Sequence, residues 1–382
     1  MSLDARYPAI SDLRDRAKRR LPRFVWDYLD SATGREITQA ANRRALDDIR
    51  FLPSILHGEI ETDLSTTFLG EDWSAPFGIS PLGMSGLFWP HAERLLAAHG
   101  HKAGIPYGLS SVAATTPEAV GPETGGRGWY QLYPPRDPEI RKDLLARVKE
   151  SGFSTLVLTA DVPVASRRER QLKGGLTQPP RLTPRLLAQT ALRPAWALAM
   201  ARRGSLPRME TLDRYTSSSQ NLSSTAHVGY LLRTSPGWDY LNWLREHWQG
   251  PLIVKGVLRQ EDASRLEAEG VDAIWVSNHA GRQFDAAPPT IEVLPGIRAA
   301  TNLPLIFDSG IEGGLDILRA IALGADFVML GRAWHYALAA LGAEGPAHLH
   351  HILTADLAAN LGQLGVSRPL DLRGGSLPIA TR

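Results

Sequence analysis

The sequence predicts an α/β protein built on one (β/α)8 barrel (a TIM barrel), with an N-terminal helical extension over residues 1–70 and a long insertion after the fourth strand. Three observations predict it. Short apolar runs ending in Gly, Ser, Asp or Asn occur eight times, and most are continuous rather than alternating, as strands covered on both faces are. Helical patterns lie between most of them, several closing on glycine as helix C-termini do. No G-x-G-x-x-G opens a helix after a strand, which removes the main signature of the competing doubly wound sheet.

The strands are PFGISPLG (76–83), PYGLSS (106–111), GWYQLYP (128–134), TLVLTAD (155–161), PLIVKGV (251–257), AIWVSNH (273–279), PLIFDSG (304–310) and FVMLGR (327–332). HAERLLAAHGHKAG, DPEIRKDLLARVKESG, RQEDASRLEAEG, TIEVLPGIRAA and GGLDILRAIALG supply helices between them. Residues 1–70 precede the barrel, which takes 71–382, and are expected to be mainly helical, with LPRFVWDYLDSA as an aromatic-rich helix. Within the barrel, residues 170–236 form a basic insertion: Arg170 to Met209 contains no Asp or Glu, and Trp196 sits in LRPAWALAMARRG. It is either a lid over the barrel mouth or a basic amphipathic element lying on anionic lipid; Pro184 and Pro194 interrupt any long helix there.

The composition excludes several classes. With 43% apolar and 21% charged residues in 382, the chain has an ordinary globular make-up. A net charge of +2 without a polybasic tail predicts no nucleic-acid partner. The absence of cysteine rules out disulfides, thiolate nucleophiles and cysteine metal sites, and no metal is expected. The charged N-terminus lacks a signal-peptide core, and no window offers the roughly 20 apolar residues of a membrane span. A cytoplasmic location is expected, with contact at a membrane surface left open.

In a barrel of this kind the strand C-termini converge on one mouth, where active sites sit. Those ends carry Gly83, Ser110, Gln131 with Tyr133, Thr159 with Asp161, Lys255, His279, Asp308, and Gly331 with Arg332. A lone His279 could be a core histidine, but Arg282 follows three residues later, as for a base beside an anion site. Lys255 ends an apolar strand, where an unpartnered ammonium would be costly. Tyr28 and Tyr133 are either packing aromatics or site residues, and Asp161 either caps a helix or orients His279. The glycine loops DSGIEGGLD (308–316) and LGRAW (330–334) follow the last two strands, where barrels commonly bind phosphate, so a phosphorylated ligand is expected.

SNHAGRQFD (277–285) matches the nine-residue pattern S-N-H-G-[GA]-R-Q-x-D except at Ala280, and QLY (131–133), LTAD (158–161), RRE (167–169), VKG (254–256) and ALGADFVMLGRA (322–333) follow the same family in order. From about Leu21 to Leu341, apart from the basic insertion, the chain resembles the FMN-dependent 2-hydroxy acid dehydrogenase/oxidase family. That family includes glycolate oxidase, L-lactate dehydrogenase and (S)-mandelate dehydrogenase, and the likeness leans toward its bacterial membrane-associated dehydrogenases. The resemblance implies that His279 takes the proton and Asp161 stabilises the imidazolium, while Tyr133 meets the substrate hydroxyl. Arg282, Arg168 and Tyr28 would hold the substrate carboxylate. Lys255 would sit near N1 and the C2 carbonyl of FMN. Ser110, Gln131 and Thr159 would bond the isoalloxazine, Asp308, Gly310, Gly331 and Arg332 would hold the ribityl phosphate region, and Pro81, Gly83 and Ser277 are also expected to bind the cofactor. Removal of the α-hydrogen as hydride or as a proton is equally compatible with these residues. The resemblance also implies a homo-oligomer, a tetramer, on the cytoplasmic side of the inner membrane.

Two departures bear on this expectation. The family's glycine after the histidine is Ala280, whose methyl would crowd the pocket or shift the loop. The arginine of the phosphate loop is Glu312, so weaker FMN binding is expected than in an arginine-bearing relative. Gly83 is commonly alanine in the oxygen-using members and glycine in the dehydrogenases; with the insertion it favours a dehydrogenase passing electrons to a quinone. The alternatives are an oxygen-using 2-hydroxy acid oxidase, a relative acting on an amine or peptide-derived substrate, or a non-catalytic barrel that has lost its cofactor. The bulky LGMSGLFWP wall points to an apolar or aromatic substrate side chain.

Overall fold

The computed structural model describes residues 2–175, 183–204, 207–215 and 234–373. A two-stranded antiparallel ribbon, β1 (Thr66–Phe68) and β2 (Glu71–Trp73), precedes eight parallel strands. These are β3 (Phe77–Ile79), β4 (Gly108–Ser110), β5 (Gly128–Leu132), β6 (Phe153–Thr159), β7 (Leu252–Val257), β8 (Ala273–Val276), β9 (Leu305–Phe307) and β10 (Phe327–Leu330). Each strand pairs with the next in the chain, β10 pairs with β3, and a bridge between Ile79 and Tyr107 joins β3 to β4 and closes the barrel. Every predicted strand is present. The near-continuous burial of these strands explains why they stood out as apolar runs rather than alternating ones.

Register brings the polar strand ends together. Ser110 pairs with Gln131 across β4 and β5, and Thr159 pairs with Lys255 across β6 and β7. At the opposite end, aromatic side chains fill the barrel. Phe68 of the ribbon packs 5.0 Å from Phe327 and 6.1 Å from Trp129, centroid to centroid, so the ribbon forms the floor. One end is thus sealed by apolar packing and the polar end is left open for chemistry.

The N-terminal extension is less uniformly helical than expected. Helices Ile10–Arg20, Arg23–Asp30 and Ile37–Asp47 form, but residues 51–65 adopt neither helix nor strand, and the boundary drawn at 70 falls in the turn of the floor ribbon. The helices are fastened to the barrel. Arg16 donates to the carbonyl of Ala340 at 2.8 Å, and buried Asp30 accepts hydrogen bonds from Arg14, Arg170 and Tyr336. They form part of the wall of the mouth.

Within the insertion, Pro184 and Pro194 each open a helix, Pro184–Ala191 and Pro194–Arg203, where the missing N–H costs nothing. The second helix is anchored inward by buried Trp196, whose Nε1 donates to the Leu87 carbonyl at 3.0 Å and whose ring meets Phe24 edge-on. Leu187, Leu192 and Leu198 point outward and are more than half exposed. Among the described residues no helix is long and apolar enough to cross a membrane.

Candidate active site

The open end of the barrel holds a cavity of about 1040 Å³, at the upper end of the roughly 300–1,000 Å³ usual for small-molecule sites. All the residues predicted for the site line it except Asp161 and Ser277, which stand directly behind His279 and Lys255.

His279 is held by geometry and by charge. Its Nδ1 lies 3.1 Å and 3.2 Å from the two carboxylate oxygens of Asp161, which leaves Nε2 for the cavity. Asp161 therefore orients the imidazole; it caps no helix. Burial pushes the His279 pKa down, and Lys255 and Arg168 push the same way against the opposing pull of Asp161. Burial would raise the Asp161 carboxyl, but His279, their hydrogen bond and Lys255 bring it below its ordinary value. The pair is an imidazole held toward its neutral form and backed by a carboxylate.

The loop carrying this base is strained. His279, Ala280 and Gly281 have φ of 55°, 53° and 73°, three successive left-handed residues of which only the last is glycine. Hydrogen bonds hold the turn: the His279 N–H donates to Ser277 Oγ and the Ala280 N–H to Ser309 Oγ. With a Cβ in the left-handed region, Ala280 carries a cost in backbone conformation. Asp285 accepts the N–H groups of Arg35 and Thr38 from the extension, which makes it an anchor for the helix Ile37–Asp47 rather than part of the chemistry.

Arg282 sends its guanidinium between the extension and the barrel, donating to the carbonyls of Leu29, Ser31 and Tyr28. It has no carboxylate partner among the described residues, and neither does Arg168, whose Nε donates to Ser166 Oγ at 3.2 Å. Burial, with Arg168 and Arg332 nearby, pushes the Arg282 pKa down to about 9. A cation so disfavoured marks a site short of negative charge. Tyr28 donates its hydroxyl to the Gly83 carbonyl at 3.2 Å and Tyr133 shares the same cavity wall; burial next to Asp161 keeps the Tyr133 phenol protonated. Glycine at 83 has a steric reason: a Cβ there would lie 2.7 Å from Val112 Cγ2.

Across from the histidine runs a strip of linked polar groups. Ser110 Oγ donates to Gln131 Oε1 at 2.6 Å, and Gln131 Nε2 donates to Thr159 Oγ1 at 2.7 Å. Lys255, 5% exposed, reaches Ser277 Oγ at 2.5 Å and Asp308 Oδ2 at 2.9 Å. Asp308, expected in the ribityl phosphate region, is thus the partner that makes a buried lysine tolerable. The cavity continues to Gly310, Gly331 and Arg332, the last donating to the Asp30 carbonyl at 3.3 Å. Glu312 lies exposed at this end, and Arg43, the nearby arginine, is engaged by Asp47, Asp316 and the Gly310 carbonyl. An edge of amide, hydroxyl and ammonium groups leading to glycine loops and an arginine fits a flavin mononucleotide: heterocycle edge first, phosphate last.

Sequence reasoning missed three contributors to this site. Val112, two residues beyond the end of β4, was within reach of the strand-end argument. Asn42, which exchanges hydrogen bonds with Asn278 below the base, and Met209, which enters from the insertion, carry no local pattern that marks them.

The family model for FMN-dependent dehydrogenases matches residues 17–377. The chain is 36% identical over 372 residues to L-lactate dehydrogenase of Xanthobacter autotrophicus, covering 96% of this chain and 95% of that one. It is 35% identical to that of Acinetobacter baylyi, covering 96% of each. Among solved structures it is similar to the monotopic membrane protein (S)-mandelate dehydrogenase, with a TM-score of 0.91 at 34% identity, covering 97% of this chain and 99% of the other. A mandelate oxidase aligns with a TM-score of 0.81 at 28% identity, covering 98% and 100%. The chain belongs to the FMN-dependent 2-hydroxy acid dehydrogenase family, and its cofactor is FMN.

Proposed function

We propose that the chain oxidises an L-2-hydroxy acid to the 2-oxo acid, with His279 as the base and Arg168 and Arg282 as the carboxylate clamp. The observation that carries this reading is the pairing of two guanidiniums lacking a carboxylate partner, among the described residues, with a neutral imidazole backed by Asp161. An acid entering the mouth supplies the missing negative charge and is oriented by two forked cations. Tyr28 and Tyr133 donate to its carboxylate and hydroxyl. The substrate proton moves to His279 Nε2, and Asp161 stabilises the imidazolium that results. Bound FMN would supply the two-electron acceptor; Ser110, Gln131, Thr159 and Lys255 would hold its ring system, and Gly310, Gly331 and Arg332 its phosphate. The substrate loses two electrons and two protons, which end on an external acceptor.

That acceptor, we infer, is a quinone reached at the cytoplasmic face of the inner membrane. Supporting this are Gly83, the outward leucines on the basic insertion helices, and the likeness to a monotopic membrane protein. The likeness to mandelate oxidase favours oxygen as a second reading. A tetramer accords with the apolar side chains of Ile55, Leu56 and Phe284, which are 81%, 99% and 64% exposed.

Anaerobic visible spectra before and after L-lactate or (S)-mandelate test the reaction: flavin bands bleach if the reading is right and persist with every 2-hydroxy acid if it is wrong. Turnover with a soluble quinone is expected to exceed turnover with oxygen, and the reverse order selects the oxidase. Sedimentation of the holoenzyme with anionic vesicles checks the membrane assignment, and equilibrium sedimentation checks the tetramer.

A further inference from the structure

Two segments bound the cavity where the last strand, β10, meets the first strand of the barrel, β3. Pro81, Leu82 and Gly83 line it from the loop after β3, and Gly331, Arg332 and Ala333 line it from the turn that opens the helix Arg332–Leu341. The strands pair from Phe77 to Ile79 against Val328 to Leu330, and the Ser80 N–H then donates to the Leu330 carbonyl at 2.8 Å. Beyond this bond, a buried side-chain contact joins the two segments.

That contact is between His335 and Ser85, which are 1% and 2% exposed. His335 Nδ1 lies 3.0 Å from the Gly331 carbonyl, and its Nε2 lies 2.7 Å from Ser85 Oγ. A carbonyl only accepts, so Nδ1 carries the ring proton. Burial pushes the His335 pKa down to about 4, against the pull of the Gly331 carbonyl, so the ring is neutral and Nε2 accepts the Ser85 hydroxyl. Ser85 Oγ also lies 3.0 Å from the Leu82 carbonyl, beside the cavity. A second link runs through aromatic rings: Phe88 meets the His335 imidazole edge-on at 5.2 Å and stacks on Tyr28 at 5.8 Å, and the Tyr28 hydroxyl donates to the Gly83 carbonyl.

Neither the base, the clamp nor the polar strip uses this histidine. Its helix is otherwise packed with residues such as Trp334, Ala337 and Leu338, so an apolar side chain would fill the position without the cost of burying two ring nitrogens. Both nitrogens are instead satisfied, one by each side of the junction. We propose that His335 is a positioning residue for the cofactor: with Ser85 it forms a latch that holds the Gly83 loop against the Gly331 turn in the arrangement that binds FMN. Neither His335 nor Ser85 lines the cavity, so the latch acts through the residues that do. Leu82 is the nearest of these to the turn, its Cδ1 3.3 Å from a Cβ placed on Gly331. The inference goes beyond the reaction proposed above and rests only on the cofactor. With the latch cut, affinity falls in proportion to the fraction of molecules in which the two segments remain set. A buried ring nitrogen stripped of its partner is destabilised enough to lower that fraction to about a tenth.

The test dilutes holoenzyme and reads the fluorescence of released FMN, which gives Kd without turnover. The proteins are the wild type, Ser85→Ala, His335→Phe, the double variant and His335→Gln. Each of the first two variants should raise Kd by about tenfold, and the double variant by no more than about tenfold, because both cut the same bond. His335→Gln places an amide oxygen within reach of the Ser85 hydroxyl and should stay within about threefold of the wild type. A Kd unchanged in Ser85→Ala would overturn the latch, even if thermal melts showed lost stability, since His335 would then be a packing residue. Losses that multiply to about a hundredfold in the double variant would also overturn it, because independent effects add in free energy. If His335→Phe does not fold, Ser85→Ala and His335→Gln decide: unequal Kd values in the stated order support the latch, and equal values overturn it.

Discussion

Asp161 meets His279 with both carboxylate oxygens at once, 3.1 Å and 3.2 Å from Nδ1, from the strand end two positions removed around the barrel. The near-equal distances share the carboxylate's negative charge between two contacts to the same ring nitrogen. That arrangement favours the protonated ring without abstracting its proton, while burial, Lys255 and Arg168 favour the neutral ring. In the proposed reaction the imidazole of His279 therefore starts neutral and is stabilised by Asp161 as it accepts a proton.

Replacing Asp161 by Asn keeps the shape and removes the charge. The rate of flavin reduction in stopped flow should fall by about 10²–10³-fold, with little change in KM. The pH profile supplies a second readout. Because the free base is the active form and the His279 pKa is lowered, the acid limb of kcat/KM in the wild type should lie below the ordinary histidine value of 6.5. Asp161 is the group that raises the His279 pKa, so its loss should move the limb lower still as the plateau drops. A limb that moves upward in the variant would contradict this account.

The clamp makes a different prediction. Among the described residues, Arg168 shows one side-chain hydrogen bond, to Ser166, whereas Arg282 is built into three backbone carbonyls of the extension. Arg168→Met should thus fold normally and weaken binding of a carboxylate inhibitor such as oxalate by about 10–100-fold, the size of a lost charged hydrogen bond. Arg282→Met should in addition lower the melting temperature, since it strands those carbonyls. Titration of the flavin spectrum and thermal melts separate the two effects.

The barrel and its strand-end residues were legible because parallel strands buried on both faces leave a local signature, and because everything at their C-termini must share one mouth. What the extension contributes was not. Arg282 is held by the carbonyls of Tyr28, Leu29 and Ser31, and Asn278 exchanges hydrogen bonds with Asn42, pairings more than 200 residues apart in the chain. No periodicity encodes such contacts. Asp285, the last residue of SNHAGRQFD, likewise binds backbone N–H groups of the extension. Met209 was hidden for the same reason: only the fold carries the insertion back to the mouth.

Glu312 lies exposed at the phosphate end of the cavity, and the neighbouring Arg43 is occupied by Asp47, Asp316 and a carbonyl. Glu312→Arg exchanges an opposing charge for a favourable one and should tighten FMN binding by about tenfold, as a charge-assisted hydrogen bond to phosphate does. The quenching of free FMN fluorescence on reconstitution measures this directly, without turnover. The gain should shrink as salt is added, because the position is solvent-exposed. Unchanged affinity would mean that Arg332 and the glycine loops already saturate the phosphate.

Ala280 supplies the last test. With φ of 53° it occupies a left-handed conformation between His279 and Gly281, and its N–H is already satisfied by Ser309. An alanine there costs about 1–2 kcal/mol relative to a residue without Cβ, partly offset by the greater freedom glycine has in the unfolded chain. Ala280→Gly should therefore stabilise the holoenzyme by about 1 kcal/mol, raising Tm by roughly 1–3 °C at fixed FMN concentration. The two hydrogen bonds that hold the turn do not involve the methyl, so flavin reduction should change by less than about twofold. A destabilised Ala280→Gly would show that the methyl packs against the cavity wall strongly enough to outweigh the strain.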